Sequence, residues 1–409
     1  MAEDDNNAGL ELGEAVMPRR RGKRQAPVSG VSLSNAELID RIADAANAGS
    51  ADRIAWSPTR GAARGPSDVV GWIPFESTLL SYAAVNRPDG GFPIGRIVEL
   101  QGEEQTGKSL LLAKAIARCQ AMGGVAALAD AENAVDMDYL AHLGVDHDHL
   151  LYAQPGTAEK TFEFIELVIK QVRASNTTVP VVIGWDSVSG TPCQAELDGS
   201  YDPQERMGIK ARVISHGMTK LVKTFGREQI SIILTNHLKY KVGKIWGTDP
   251  FFVPGGKAIP YYASLRLRVS TAAKIKNDDK RVIGVRMRVK TIKTRFGPPF
   301  RECEFDFYFE TGTVDDHGSW FDLLKTDGVI AKIPGSASYS LRLQDGSKVT
   351  IGTSSEWRPR LASDPEFVRI VAGVLDSHLR FVPKKGAGPI IAPVDDIDDG
   401  PDVVDGADL

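Results

Sequence analysis

The chain is poor in cysteine. Three residues, Cys119, Cys193 and Cys303, are spread over 409 positions. An odd, widely spaced set suggests neither a disulfide framework nor a zinc site, and it suits a reducing compartment. Long apolar runs are missing too: none approaches the roughly 18 residues of a membrane span. The first residues, MAEDDNNAGLELGE, lack the basic-then-apolar order of a secretory leader. A cytoplasmic protein is the expectation. The last stretch has no base at all. Residues 395–409 hold seven aspartates, so the net charge of −4 becomes +3 for residues 1–394. Such a tail either competes with a polyanion for a basic surface or keeps the chain soluble, and both readings stay open.

With 42% hydrophobic and 25% charged residues, the composition is that of a globular protein. The length is more than one ordinary domain needs. Residues 1–30 read as a disordered tail with a basic cluster, Arg19, Arg20, Arg21, Lys23 and Arg24, that either touches phosphate or is simply solvated. Ser34 and Glu37 have capping-box spacing ahead of a helix over 34–48. A Gly/Pro/Ser/Arg-rich linker follows. This arm either docks on a neighbouring copy or packs on its own domain. From residue 95, short apolar strands alternate with helices: Ile97–Leu100, Leu110–Met122, Val125–Leu128, Ala158–Ala174, Val181–Trp185, Ile209–Phe225 and Ile230–Leu234. This alternation predicts an α/β fold with a mainly parallel sheet and helices on both faces. Ligands bind beyond the carboxyl ends of such strands, where Asp130, Glu132, Asp186, Asn236 and His237 fall. Strand-period patterns at Leu265–Val269, Val282–Ile292 and Cys303–Phe309 follow. The predicted divisions are 1–30, an arm at 31–75, a core at 76–315, a small α+β domain at 316–382 and a disordered acidic tail at 383–409.

The strongest local signal is Gly102-Glu103-Glu104-Gln105-Thr106-Gly107-Lys108-Ser109, a P-loop between a predicted strand and a predicted helix. Its glycines let backbone N–H groups turn inward around phosphate oxygens, and the helix N-terminus adds a positive field. Lys108 is placed for the β- and γ-phosphates and the Ser109 hydroxyl for Mg²⁺. Val181–Asp186 matches the second strand of such a site, with Asp186 for the Mg²⁺ shell.

The segments GRIVELQGEEQTGKS, LADAENAVDMDYLAHLGVD, LLYAQPGTAEKTFE, MGIKARVISHGMTKL and PGGKAIPYYASLRLRV resemble the RecA family, in order and with nearly the same spacing. The likeness covers roughly residues 75–330. It implies a RecA-type P-loop core that uses ATP and Mg²⁺, with ATP between the subunits of a helical filament. It implies binding to single-stranded DNA, and pairing with homologous duplex DNA in recombination and repair. By the same resemblance, Glu132 is the carboxylate that activates water, Tyr139 stacks on adenine and Asp136 lies at the base edge. Met207, Gly208, Arg212 and Ser215 match the first DNA-binding region. Lys239–Gly256 matches the second loop, with Lys239, Lys241, Val242, Gly243, Gly255 and Gly256, and Val242 at the position that inserts between base triplets. Its bases and aromatics, among them Lys244, Trp246, Phe251 and Phe252, suit phosphate and base contact; a subunit contact is the alternative. Lys293 and Arg295 match two cations that reach the neighbouring subunit's γ-phosphate.

His237 stands where the family usually has glutamine, as the sensor of the γ-phosphate. Thr219 replaces a basic residue, and the second loop is about one residue longer. These departures suggest a divergent branch, phage- or plasmid-encoded. Two rivals remain: a ring-shaped hexameric motor on the same core, and an ATP-switched paralogue with little catalysis. Deleting residues 395–409 separates the two readings of the tail. Competition predicts tighter single-stranded DNA binding at low salt and a shallower difference at high salt; unchanged affinity over a salt series removes competition.

Overall fold

A computed structural model describes residues 34–48, 69–175, 178–199, 208–225, 229–240 and 251–382. The basic cluster, Met207, Lys241, Val242, Gly243, Lys244, Trp246 and the Asp-rich tail lie outside the described residues. The chain forms two units, residues 1–67 and 68–409. The first contributes α1 (Asn35–Asn47), and the expected capping box is present: Ser34 Oγ accepts from the Glu37 N–H, and the Glu37 carboxylate accepts from the Ser34 N–H at 2.9 Å. Leu38, Ile39 and Ile42 on this helix are exposed.

The second unit begins with β1 (Trp72–Pro74), α2 (Thr78–Val85), β2 (Gly91–Pro93), β3 (Ile97–Gly102), α3 (Lys108–Ala121), β4 (Val125–Asp130), α4 (Met137–His142) and β5 (Leu150–Ala153). It continues through α5 (Ala158–Ala174), β6 (Val181–Asp186), α6 (Gln194–Asp198), α7 (Ile209–Phe225), β7 (Ile230–His237), β8 (Lys239–Tyr240), β9 (Phe251–Phe252) and α8 (Ala258–Tyr262). Then come β10 (Leu265–Lys276), β11 (Val282–Thr294), β12 (Glu302–Tyr308) and β13 (Thr313–Asp315). The last elements are α9 (Asp316–Thr326), β14 (Ile330–Lys332), β15 (Tyr339–Arg342), β16 (Lys348–Gly352), α10 (Trp357–Ser363) and α11 (Pro365–Leu379).

Nine strands form one sheet in the order β13-β12-β11-β10-β3-β7-β6-β4-β5. The run from β10 to β5 is parallel, and β10 to β13 is antiparallel. The parallel part is buried on both faces, which is why its strands read as continuous apolar runs. Alternate residues serve alternate faces. Val98, Leu100, Leu128, Val182 and Ile233 pack with α3, whereas Ile97, Ala127, Ile183, Trp185 and Leu234 pack with α5, α7 and α8. The β10–β11 hairpin is longer than its sequence pattern, because residues 271–276 alternate poorly and are mostly exposed.

A third core holds Trp320, Phe321, Leu341, Trp357 and Phe367 of the C-terminal elements together with Leu79 of α2. Polar ties reinforce it. Thr78 donates to Asp316, Tyr82 Oη donates to Asp376 at 2.8 Å, and the Arg301 guanidinium donates to the carbonyls of Tyr82 and Leu379.

One close approach governs the α5–α7 packing. A Cβ on Gly217 of α7 would lie 2.3–2.5 Å from the Phe162 ring, which stands edge-on to Trp185. Overpacking at such a contact costs about 1–3 kcal/mol. Gly217→Ala is therefore expected to lower the urea midpoint with an unchanged slope, and adding Phe162→Leu to recover part of the loss. An unshifted midpoint would contradict this packing.

Candidate nucleotide site

Strand β3 ends at Gly102, in register with His237 at the end of β7. The chain then turns through residues 103–107, and α3 starts at Lys108 with Gly107 at its N-cap. The turn needs glycine. Gly107 has φ +96°, and a Cβ there would strike Met287; a Cβ on Gly102 would lie 2.5 Å from both Thr106 Oγ1 and the Val269 carbonyl. Gln105 also takes positive φ, at +58°. The free N–H groups of the first helical turn thus face the space beyond the strand.

That space is a cleft of about 810 Å³. Glu104, Gln105, Thr106, Gly107, Lys108 and Ser109 line its floor, with Glu132, Asp186, His237, Lys239 and Tyr139 around it. Gly102 and Glu103 frame the loop without lining the cleft. The Lys108 ammonium donates to the Glu103 carbonyl at 2.6 Å. Burial pulls its pKa below the ordinary lysine range, opposed by the charges of Asp186, Glu132 and Glu104. Phosphate oxygens there would favour the charged form further.

The Asp186 carboxyl is held by hydroxyls. Thr235 Oγ1 donates to it at 2.5 Å, and Ser109 bonds it as well. Burial raises its pKa, and these hydrogen bonds work against that rise. A hydroxyl and a carboxylate at the foot of the P-loop form a hard oxygen set that fits Mg²⁺ with phosphate oxygens and water.

Asp130, buried at the end of β4, shapes the next turn. It accepts from the N–H groups of Glu132 and Val135 and from Tyr152 Oη. This aims Glu132 into the cleft. Ser187 Oγ bonds Glu132 Oε1 closely, and His237 Nε2 lies 3.2 Å from the same oxygen. The His237 N–H donates to Ser189 Oγ at 2.9 Å. Gly190 lets Glu132 lie flat, since a Cβ there would meet Glu132 Oε1 at 2.6 Å. A carboxylate gripped by a hydroxyl and an imidazole, facing the P-loop, can orient a water and accept its proton.

Tyr139 is 48% exposed and forms one wall. Asp136 does not line the cleft; its carboxylate caps α4 through the N–H groups of Asp138 and Tyr139. Sequence reasoning missed the opposite wall: Thr271, Val285, Met287 and Phe309 come from the antiparallel strands. His142 Nε2 bonds the Phe309 carbonyl at 2.7 Å and ties that wall to α4. Only the strand period marked these residues, and it does not report which strand end meets the P-loop.

Of the residues expected to meet DNA, Gly208 (φ +83°) opens α7, where Arg212 and Ser215 are exposed. Lys239 lines the nucleotide cleft and starts β8, which pairs with β9 across the second loop. Gly255 and Gly256 both have positive φ and end that loop. Lys293 and Arg295 do not line the cleft of their own chain. Lys293 Nζ donates to the Pro260 and Tyr261 carbonyls at 2.8 Å each, and Arg295 is exposed.

The fold and this cleft define a P-loop nucleotide-binding α/β protein. The family model for the RecA N-terminal domain matches residues 73–314. Protein RecA of Geobacter sulfurreducens is 35% identical over 298 residues, covering 73% of this chain and 83% of that protein. Protein RecA of Thermus thermophilus is 36% identical over 300 residues, 73% and 84% of the two chains, and that of Desulforapulum autotrophicum 35% over 263 residues, 64% and 72%. The chain belongs to the RecA family and is a RecA-like recombinase. No helix among the described residues is long and apolar enough to cross a membrane.

A ligand at 100 times its Kd stabilises a fold by about 2.7 kcal/mol. Saturating Mg-ATP is expected to raise the melting temperature of the parent and to leave Lys108→Ala unshifted. An equal shift in both would contradict this placement of the phosphates.

Proposed function

We propose that this chain hydrolyses Mg-ATP at the cleft under control of single-stranded DNA, and assembles on that DNA as a filament for strand exchange. One observation carries the reading. The P-loop, Glu132, Asp186 and His237 leave four neighbouring strands of one parallel sheet and meet in a single cleft, and Lys239, at the start of the second loop, lines it too.

Lys108 and the backbone N–H groups of the P-loop hold the phosphate tail. Ser109 and Asp186 would hold Mg²⁺, which would supply charge neutralisation at the transferring phosphoryl. Tyr139 and Phe309 bracket the base. Glu132 orients the attacking water and takes its proton, and Ser187 fixes the carboxylate that does so. His237 shares Oε1 of Glu132, so its hydrogen bond changes whenever the γ-phosphate side of the cleft changes. The same residue begins the stretch leading to Lys239 and the second DNA loop. Lys293 and Arg295, turned away from their own cleft, serve the nucleotide of a neighbouring copy, which places ATP between subunits and makes assembly nucleotide-dependent.

Hydrolysis is expected to rise with single-stranded DNA. Glu132→Gln is expected to lower the DNA-stimulated rate by about 10²–10⁴-fold with nucleotide affinity retained. A parental rate in Glu132→Gln would remove its role as base, and hydrolysis indifferent to DNA would favour the ATP-switched paralogue. His237→Gln alters the hydrogen bond to Glu132 Oε1 and is expected to change the degree of DNA stimulation; unchanged stimulation would exclude His237 as the sensor.

A further inference from the structure

The face of the sheet beneath α7 and α8 is apolar along most of its length and turns polar near the carboxyl ends of its strands. Glu99 and Gln101 of β3 and Asn236 of β7 are all at most 1% exposed there, and Arg266 of β10 joins them with its side chain 14% exposed. Strand alternation places them on one face: their neighbours Val98, Leu100, Leu265 and Leu267 belong to the opposite core. Gln101 pairs in register with Asn236, and Glu99 with Arg266.

The Glu99 carboxylate is divided between two elements. Its Oε1 accepts from Asn236 Nδ2 at 3.2 Å, and its Oε2 accepts from Arg266 Nε at 2.6 Å. Asn236 precedes His237 in the chain and also donates to the Pro254 carbonyl at 3.3 Å, just before the two glycines that end the second loop. Arg266 pairs across the β10–β11 ladder with Lys293. The Lys293 ammonium is pulled down by burial and by the charges of Arg295 and Arg266, and Glu99 opposes them. Three groups, Asn236, Glu99 and Arg266, are therefore hydrogen-bonded in a row, and Lys293 lies across the ladder from the last of them, within the field of Arg266 and Glu99.

The row also has slack. Asn236 Oδ1 and both polar atoms of the Gln101 amide lack a hydrogen-bond partner among the described residues. A buried amide beside another unbonded amide can exchange partners without opening an apolar core. A carboxylate buried only to hold the fold would be a poor investment, since an apolar pair of similar volume usually stabilises as well.

We propose that Glu99 is a positioning residue that relays the state of one nucleotide cleft, through Asn236, to Arg266 and Lys293. The proposal rests on the reading that Lys293 serves a neighbouring copy's nucleotide. When His237 shifts on the γ-phosphate, Asn236 shifts with it and alters its hold on Glu99 Oε1. Glu99 then shares its charge differently with Arg266, and the field on Lys293 changes. ATP in one subunit thereby sets the grip on ATP in the next.

The test uses the full chain on single-stranded DNA and reads the Hill coefficient of hydrolysis in ATP. The parent is expected to exceed 1, and Glu99→Gln to fall to about 1. Affinity for a fluorescent ATP analogue, measured on the dilute chain without DNA, is expected to stay within about twofold, which a general loss of structure would not allow. Glu99→Asp, which keeps the charge, is expected to recover part of the cooperativity. The double variant Glu99→Gln/Arg266→Gln replaces the ion pair with a neutral one and covers the case in which Glu99→Gln alone fails to fold. It is expected to melt like the parent and to be non-cooperative. A parental Hill coefficient in the folded double variant overturns the relay, and so does a parent with a Hill coefficient of 1. Lys293→Ala separates the two layers. If it loses cooperativity while the Glu99 variants keep theirs, the relay alone fails. If it behaves as the parent, the cross-subunit reading fails and the relay with it.

Discussion

The site depends on where β3 stops. The strand must end at Gly102, six residues before Lys108 starts a helix, so that the N–H groups of that first turn are left facing a cleft. Gly107 at φ +96° holds a conformation that side-chain-bearing residues rarely adopt, with the tip of Met287 close by. The groups that follow the neighbouring strands are positioned relative to this turn by the parallel sheet. Glu132 follows β4, Asp186 ends β6 and His237 ends β7, so strand register delivers three side chains to one phosphate-sized space.

The same register has a second consequence. Strand β10 lies beside β3 and β11 beside β10, so the sheet that builds one wall of the cleft also carries Lys293 and Arg295 to a different face. The buried row from Asn236 through Glu99 to Arg266 crosses that span, tied at one end to the Pro254 carbonyl. A parallel sheet with polar groups at its carboxyl ends is thus a route between surfaces as well as a scaffold for one site. Charge inside such a layer costs stability, which is why these groups, rather than the surrounding valines and isoleucines, invite a functional account.

Much of this was legible in the sequence because periodicity and spacing report local structure. The helices at Ala158–Ala174 and Ile209–Phe225 match their patterns, and Ser34 with Glu37 forms the expected cap. The P-loop, Glu132, Asp186 and His237 converge as their places after strands implied. Other features are tertiary and leave no local trace. Asp136 and Tyr139 sit three residues apart, yet only Tyr139 lines the cleft, because the helix they begin needs Asp136 as its cap. Met287 of β11 and Phe309, just after β12, line the cleft from segments distant in the chain. Glu99 looked like one polar residue in an apolar run; its partners, Asn236 and Arg266, are 137 and 167 residues away.

The central claim is that nucleotide, DNA and a second copy of the chain meet at one assembly. Electron microscopy of the full chain with long single-stranded DNA tests it most directly, comparing a slowly hydrolysed ATP analogue with ADP. Extended helical filaments are expected with the analogue, and their loss with ADP. Closed rings, or assemblies indifferent to the nucleotide, would contradict it.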